Sequence, residues 1–313
     1  MSQSSGQPLL SRRHLLQAGA AVAASASLGL AKEEKKPGYI DAHVHIWTPD
    51  TSAYPLGKHY DKSAMKPASF TPDELFAYSR PEGVDRIVLI QMSFYETDNK
   101  YMLDAIEKYP DTFRGVAIID HEAPGVLETM RGLKEQGVNG YRLYADAKST
   151  ASWVDSPEMA TMWKGAAETG QAICLLSNPD ALPSIEKLCK KFPETTVVID
   201  HFSRIGVSGT IQGSDLDNLC KLATFPKTHV KTSAFYALGK KKPPYLDLGP
   251  MIRRLRDTFG ADRLMWASDC PYQVEKGNTY AASIALIRDK LDFLTDVDKE
   301  WMLRKTAEKV LWS

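Results

Sequence analysis

From residue 84 onward the chain alternates short strand-like apolar runs with longer stretches of helical periodicity. Residues 86–92 are almost continuously apolar, the mark of a strand covered on both faces. Strand-like runs follow at 115–119, 138–144, 172–176, 196–200, 229–233 and 264–268, and an earlier one spans 40–46. The intervening stretches 98–109, 125–136, 157–169, 179–191, 216–225, 246–259 and 279–291 predict helices, and 296–312 a last one. Pro110 stops the first of these, and Gly137, Gly170 and Gly260 close others. Another helix opens at Thr71-Pro72-Asp73-Glu74, which supplies an N-cap, a proline at the first helical position and acids in the first turn. It ends near Pro81-Glu82-Gly83.

Eight strand–helix units at roughly 30-residue spacing predict a single-domain (β/α)8 barrel of the α/β class. A doubly wound open sheet would usually have fewer strands and a glycine-rich first turn. Neither G-x-G-x-x-G nor a phosphate-binding G-x-x-x-x-G-K-[ST] occurs.

The first strand, Ile40-Asp41-Ala42-His43-Val44-His45-Ile46, carries the first chemistry. Strict alternation puts Asp41, His43 and His45 on one face and Ile40, Ala42, Val44 and Ile46 on the other. Two imidazoles about 6.5 Å apart along a strand can ligate one ion or hold one substrate oxygen. Two ordinary hydrogen-bonded histidines are the alternative. In such barrels the active site lies at the carboxyl ends of the strands. Those ends carry His43 and His45, then Gln91, His121 or Glu122, Arg142, Ser177 and Asn178, His201, Ser233 and Asp269. Closure sets strand one beside strand eight, so Asp269 is expected to face His43 and His45. The long aperiodic loop 47–70 is of the kind that covers functional sites.

Composition narrows the classes. At 43% hydrophobic and 25% charged, the 313 residues can bury a full core. Net charge is zero with no basic stripe, which argues against nucleic acid and leaves a small molecule as the expected partner. Cys174, Cys189, Cys220 and Cys270 show no metal-ribbon spacing and read as buried thiols. The N-terminus differs: Ser11-Arg12-Arg13-His14-Leu15-Leu16 is a twin-arginine pair leading into a mildly apolar Ala/Gly/Ser run. That run is too short and too weakly hydrophobic to span a membrane. Residues 1–31 are expected to be a Tat-type export signal with a periplasmic destination, 32–38 a charged linker, and 39–313 the barrel.

Three pieces resemble the amidohydrolase superfamily: Asp41-Ala42-His43-Val44-His45-Ile46-Trp47, Val198-Ile199-Asp200-His201, and Met265-Trp266-Ala267-Ser268-Asp269-Cys270-Pro271-Tyr272. More narrowly they resemble its amidohydrolase-related branch, which includes fuconolactonase-type sugar lactonases and pyrone-dicarboxylate lactonases. Residues 91–102 and Gly140-Tyr141-Arg142 resemble the same lactonase branch. The resemblance implies a hydrolase that opens a lactone or related cyclic ester, a sugar lactone among the candidates. It implies that Asp269 is the general base or a metal ligand, and that His201 polarises the scissile carbonyl. His43 and His45 would hold a metal ion or the developing oxyanion, Arg142 a substrate carboxylate or hydroxyl, and Trp47 would pack beside the histidines. Metal-dependent members usually add a lysine on strand four or a histidine on strand five; here Arg142 and Leu176-Ser177 stand there. A binuclear centre is therefore not expected. One divalent ion on His43, His45 and Asp269, zinc before others, and a metal-independent site both stay open.

The other candidates are less specific. Gln91 reads a substrate hydroxyl or satisfies a backbone group. Tyr95, Tyr144 and Tyr236 are pocket walls or packing, and Ser233 is a candidate substrate contact. His121 reads as an ordinary histidine, and His59 and His229 as surface or barrel-bottom residues. Two other functions compete with hydrolysis: a metal-dependent decarboxylase or hydratase of the same branch, and an exported binding protein that lost turnover. The strand-five histidine missing here weakens the first, and the presence of Asp269 and His201 the second.

Overall fold

The structure, a computed structural model, describes residues 1–3 and 38–312; the expected export signal and linker fall almost wholly outside them. Eight strands form one parallel sheet in sequential order: β1 (Tyr39–Val44), β2 (Val84–Ile90), β3 (Phe113–Ala117), β4 (Val138–Ala145), β5 (Ala172–Ser177), β6 (Val197–Ile199), β7 (Thr228–Thr232) and β8 (Leu264–Trp266). The sheet closes where the Asp269 amide donates to the His43 carbonyl and the His45 amide to the Cys270 carbonyl, both at 2.9 Å. The (β/α)8 barrel expected from the pattern is the fold observed.

The surrounding helices are α1 (Pro72–Ser79), α2 (Lys100–Lys108), α3 (Val126–Glu135), α4 (Ala147–Trp153), α5 (Pro157–Thr169), α6 (Leu182–Lys191), α7 (Gly213–Lys221), α8 (Gly249–Phe259), α9 (Tyr280–Ala285), α10 (Asp296–Glu300) and α11 (Thr306–Leu311). The cap read at Thr71 is a full capping box, Thr71 and Glu74 each satisfying the other's amide. Helix α4 was not expected. It forms because Asp146 caps it reciprocally with Ser149, in a connection where the periodicity is too short to register. The last expected helix, 296–312, is α10 and α11 joined by a π-helical turn, Trp301–Lys305. Among the described residues no helix is long and apolar enough to cross a membrane.

Two apolar layers hold the barrel. The inner one includes Ile40, Val88, Val116, Val198 and Met265, closed by Val310 and Leu311 of α11. Helix α11 plugs the amino-terminal end: Asn139, at the start of β4, donates to the Leu311 carbonyl, and Arg86, at the start of β2, pairs with Glu308 at 2.8 Å. The outer layer packs strands against helices and contains the fully buried Trp47, Trp163 and Trp266.

The face assignment on β1 needs correction. Asp41 aligns with Ile87 but Val44 with Leu89, so β1 carries one extra residue there. That irregularity reverses the alternation. Ile40 and Ala42 join the inner layer while Val44 and Ile46 join the outer one, and both histidines face the barrel mouth. Asp41 does not share their face. Its carboxylate accepts from Tyr280 Oη of α9 at 2.8 Å and from the Ser268 amide at 2.9 Å, tying β1 to β8 from outside. Burial raises its pKa to about 6 against the opposing hydrogen bonds.

Candidate active site

Two local backbone devices bring the polar strand ends together. The bulge in β1 sends His43 and His45 inward. Past β6 the chain makes a tight turn in which His201, Phe202, Ser203 and Arg204 all have positive φ, between 52° and 59°. None is glycine, so each residue costs about 1–2 kcal/mol. The turn persists because Phe202 is fully buried, Ser203 Oγ meets Ser177 Oγ at 2.7 Å, and Arg204 donates to Asn178 Oδ1 at 2.9 Å. It sets the His201 ring over the mouth. Asp269, also at positive φ, completes the set from the end of β8.

Oδ1 of Asp269 faces three imidazoles, with His45 Nε2 at 3.4 Å, His43 Nε2 at 3.6 Å and His201 Nε2 at 3.8 Å. Oδ2 accepts from Tyr236 Oη at 2.7 Å, so one carboxylate oxygen is anchored and the other is left to the mouth. Burial alone would raise the Asp269 pKa, but the surrounding imidazoles, His201 first, outweigh it and hold the carboxyl well below its usual range. His45 Nδ1 lies 2.8 Å from the Ile90 carbonyl, which can only accept, so Nδ1 carries the hydrogen and Nε2 presents a lone pair. His201 Nδ1 meets Ser233 Oγ at 2.8 Å. Burial lowers the pKa of His201, and lowers that of His43 further with help from the Lys231 ammonium. His43 is therefore neutral at neutral pH.

Lys231 and Asp200 do not stand out among the strand ends in the sequence, where Tyr236 reads only as wall or packing. Lys231 and Asp200 form an ion pair at 3.0 Å, both fully buried, directly under His43. Arg142, 6% exposed on β4, reaches His43 Nε2 at 3.5 Å and sits 5.1 Å from the Tyr144 ring centre. No carboxylate among the described residues pairs with it, and its Nε has no hydrogen-bond partner.

Other expected site residues lie further out. Ser233 stands behind His201. Gln91 is engaged with backbone, donating to the Asp98 carbonyl and accepting from the Met92 amide. Tyr95 packs on Phe94 and accepts from the Thr48 amide, and Trp47 donates to the Pro67 carbonyl. Trp47 approaches the site through Tyr272, whose ring lies edge-on to His45. His59 is exposed and pairs with Glu96, and His229 is buried at the amino-terminal end of β7. A groove of about 990 Å³ lies on the outer wall between α2 and α3, and none of His43, His45, His201, Asp269 or Arg142 lines it.

Three of these groups have the chemistry of metal ligands. Ligand atoms of His43, His45 and Asp269 lie within 4.8 Å of one another. The His43 and His45 Nε2 atoms are 3.3 Å apart, and each lies 3.4–3.6 Å from Asp269 Oδ1. A tetrahedral ion with bonds of about 2.1 Å needs its ligand atoms about 3.4 Å apart. By spacing, the three residues fit one ion with a position left open.

Barrel and site together define a hydrolytic enzyme, with a carboxylate and imidazoles gathered at the carboxyl ends of parallel strands. The chain belongs to the amidohydrolase family, which it matches over residues 40–311. It is 27% identical over 237 residues to the 4-sulfomuconolactone hydrolase of Rhizobium radiobacter, covering 75% of this chain and 76% of that one. It is 25% identical over 236 residues to the L-fucono-1,5-lactonase of Burkholderia ambifaria, covering 74% and 80%. An amidohydrolase of Burkholderia multivorans, solved with bound zinc, superposes with a TM-score of 0.73 at 19% identity over 88% of this chain and 99% of that one.

Proposed function

We propose that the protein hydrolyses a lactone carrying an anionic substituent. The observation that carries this reading is Asp269: ionised, anchored by Tyr236 on one oxygen and facing three imidazoles with the other. A water held against Oδ1 gives up its proton there as its oxygen bonds to the ring carbonyl carbon. The carbonyl π pair moves to oxygen, and imidazole donors pre-aimed at the mouth, His201 first, stabilise that negative charge. When the intermediate collapses, the ring C–O bond breaks and the alkoxide takes the proton from Asp269. The product is an open hydroxy acid. The guanidinium of Arg142, which no carboxylate among the described residues neutralises and whose Nε has no hydrogen-bond partner, supplies the counter-charge for the substrate's anionic group.

If a divalent ion is bound, His43, His45 and Asp269 would hold it, and it would supply an acidified water and a polarised carbonyl. The lactones named for the two relatives support the reaction class, and zinc in the Burkholderia multivorans structure supports zinc as the first ion to test. The Arg12-Arg13 pair supports Tat export to the periplasm, testable by whether Arg12→Lys/Arg13→Lys retains the protein in the cytoplasm.

A panel of sugar lactones, muconolactones and pyrones, followed with a pH indicator, tests the proposal. Asp269→Asn should lower the rate on the best substrate by about 10²–10⁴-fold. Undiminished turnover in that variant, or no acid release from any lactone by the wild type, overturns the reading.

A further inference from the structure

The Lys231–Asp200 pair has no part in the chemistry above, yet it sits inside the barrel at 0% exposure. Taking two charges out of water costs several kcal/mol per ion, so the pair calls for a role. Its position suggests one. Lys231 Nζ lies 3.2 Å from His43 Nδ1, and Asp200 Oδ1 lies 3.5 Å from the same atom. The two neighbours make opposite demands. An ammonium has hydrogens and no lone pair, so it requires Nδ1 to accept; a carboxylate requires Nδ1 to donate.

The other ring nitrogen faces the same choice. His43 Nε2 is 3.3 Å from His45 Nε2, whose lone pair is fixed by the bond from Nδ1 to Ile90, and 3.5 Å from Arg142 Nη1. The lone pair asks Nε2 to donate, and the guanidinium asks it to accept. At both nitrogens the shorter contact is satisfied by one arrangement, with the hydrogen on Nε2 and the lone pair on Nδ1. Asp269 Oδ1, 3.6 Å from Nε2, adds a second acceptor on that side.

We propose that Lys231 is a positioning residue that holds the ring hydrogen of His43 on Nε2, so that His43 faces the mouth as a donor and the His43–His45–Asp269 group binds a divalent ion weakly. An ion on Nε2 needs the lone pair there. The hydrogen must then move to Nδ1, against the ammonium, with Asp200 as the acceptor beside it. Without Lys231 that obstacle disappears, and Asp200 becomes the carboxylate partner that usually supports a metal-bound histidine. The proposal rests on the three residues being the reaction site but not on which ester is cleaved.

The test needs no substrate. In metal-free wild-type protein labelled with ¹⁵N-histidine, the His43 signals, assigned by their loss in His43→Gln, should show Nδ1 as the bare nitrogen and Nε2 as the protonated one. Zinc affinity, read by competition with a chromogenic chelator, should rise tenfold to a hundredfold in Lys231→Met and stay near wild type in Lys231→Arg. Lys231→Met leaves Asp200 as an orphaned buried carboxylate. If that variant does not fold, Lys231→Met/Asp200→Asn removes both charges and should show the same direction of change. A proton on Nδ1 of wild-type His43, or unchanged zinc affinity in the folded Lys231→Met or double variant, overturns the proposal. Because neither readout involves turnover, the lactone reading and this one can fail separately.

Discussion

Arg142 allows stability and function to be set against each other in one substitution. Its guanidinium is 6% exposed, its Nε is unsatisfied, and no carboxylate among the described residues neutralises it. A buried cation with no carboxylate beside it destabilises the free protein, so an isosteric apolar side chain should be better tolerated by the fold. Arg142→Met is expected to stabilise by about 1–3 kcal/mol, the lower part of the range seen when buried charges are replaced by packed apolar groups. For a barrel of this size that corresponds to a rise in Tm of roughly 2–10 °C. On the function proposed above, the same change removes the counter-charge for the substrate. Losing one partner of a buried charge pair costs about 2–5 kcal/mol, or roughly thirtyfold to several thousandfold in kcat/KM, on lactones bearing a carboxylate or sulfonate. Neutral lactones of the same ring size should lose about threefold or less, because no desolvated anion is left unpaired. Differential scanning calorimetry and the indicator assay on matched charged and neutral substrates read both quantities. A fall in Tm, or equal losses on both substrates, would show that Arg142 is a structural residue and refute the argument.

Three further outcomes follow. Ser233→Ala removes the 2.8 Å contact on His201 Nδ1 and should lower kcat by roughly twofold to tenfold with KM unchanged, and Ser233→Thr should restore it; a KM effect alone would make Ser233 a substrate contact. Gln91→Ala strands the Met92 amide and the Asp98 carbonyl, so it should destabilise by about 1–3 kcal/mol in denaturant titration with KM unchanged; a raised KM would restore the substrate-hydroxyl reading. His229 gives an acid-sensitivity test, because burial lowers its folded-state pKa from 6.5 to about 4. As pH falls through 6.5 the unfolded chain binds the proton first, so stability is lost between pH 6.5 and 4, by roughly 2 kcal/mol at pH 5. The loss of unfolding free energy between pH 7 and pH 5, read by denaturant titration, should be smaller in His229→Gln by about that amount, and equal losses would contradict it.

The strand and helix order was legible because each unit shows its own periodicity and its own stop signal, such as Pro110 or Gly170. The bulge in β1 was not. Strict alternation is the default for a strand, and nothing inside residues 40–46 marks an extra residue. The signal was indirect: a barrel interior needs apolar filling low on β1, which Ile40 and Ala42 provide, while the rim above them needs both histidines facing inward. Alternation cannot meet both demands. The left-handed turn at His201 was hidden for a related reason, since Phe202, Ser203 and Arg204 are not residues that advertise positive φ. Burial of Phe202 and the bonds made by its neighbours impose it.

Lys231 and Asp200 show why the deepest part of the site was unreadable from strand ends alone. In Thr228-His229-Val230-Lys231-Thr232, a lysine flanked by Val and Thr reads as the solvent face of a half-buried strand. In a closed barrel the alternate face is the interior, so the same parity sends the lysine inward. Asp200 was likewise eclipsed by the histidine that follows it. The two become partners only through register: Ile199 aligns with Val230, which sets Asp200 beside Lys231 one step further up the barrel. A charge of each sign on neighbouring strands, at one level and on the inward face, is a legible signal once register is assigned. It also locates them below the mouth, fully buried. Both of them touch His43, and through their charges both also act on His201.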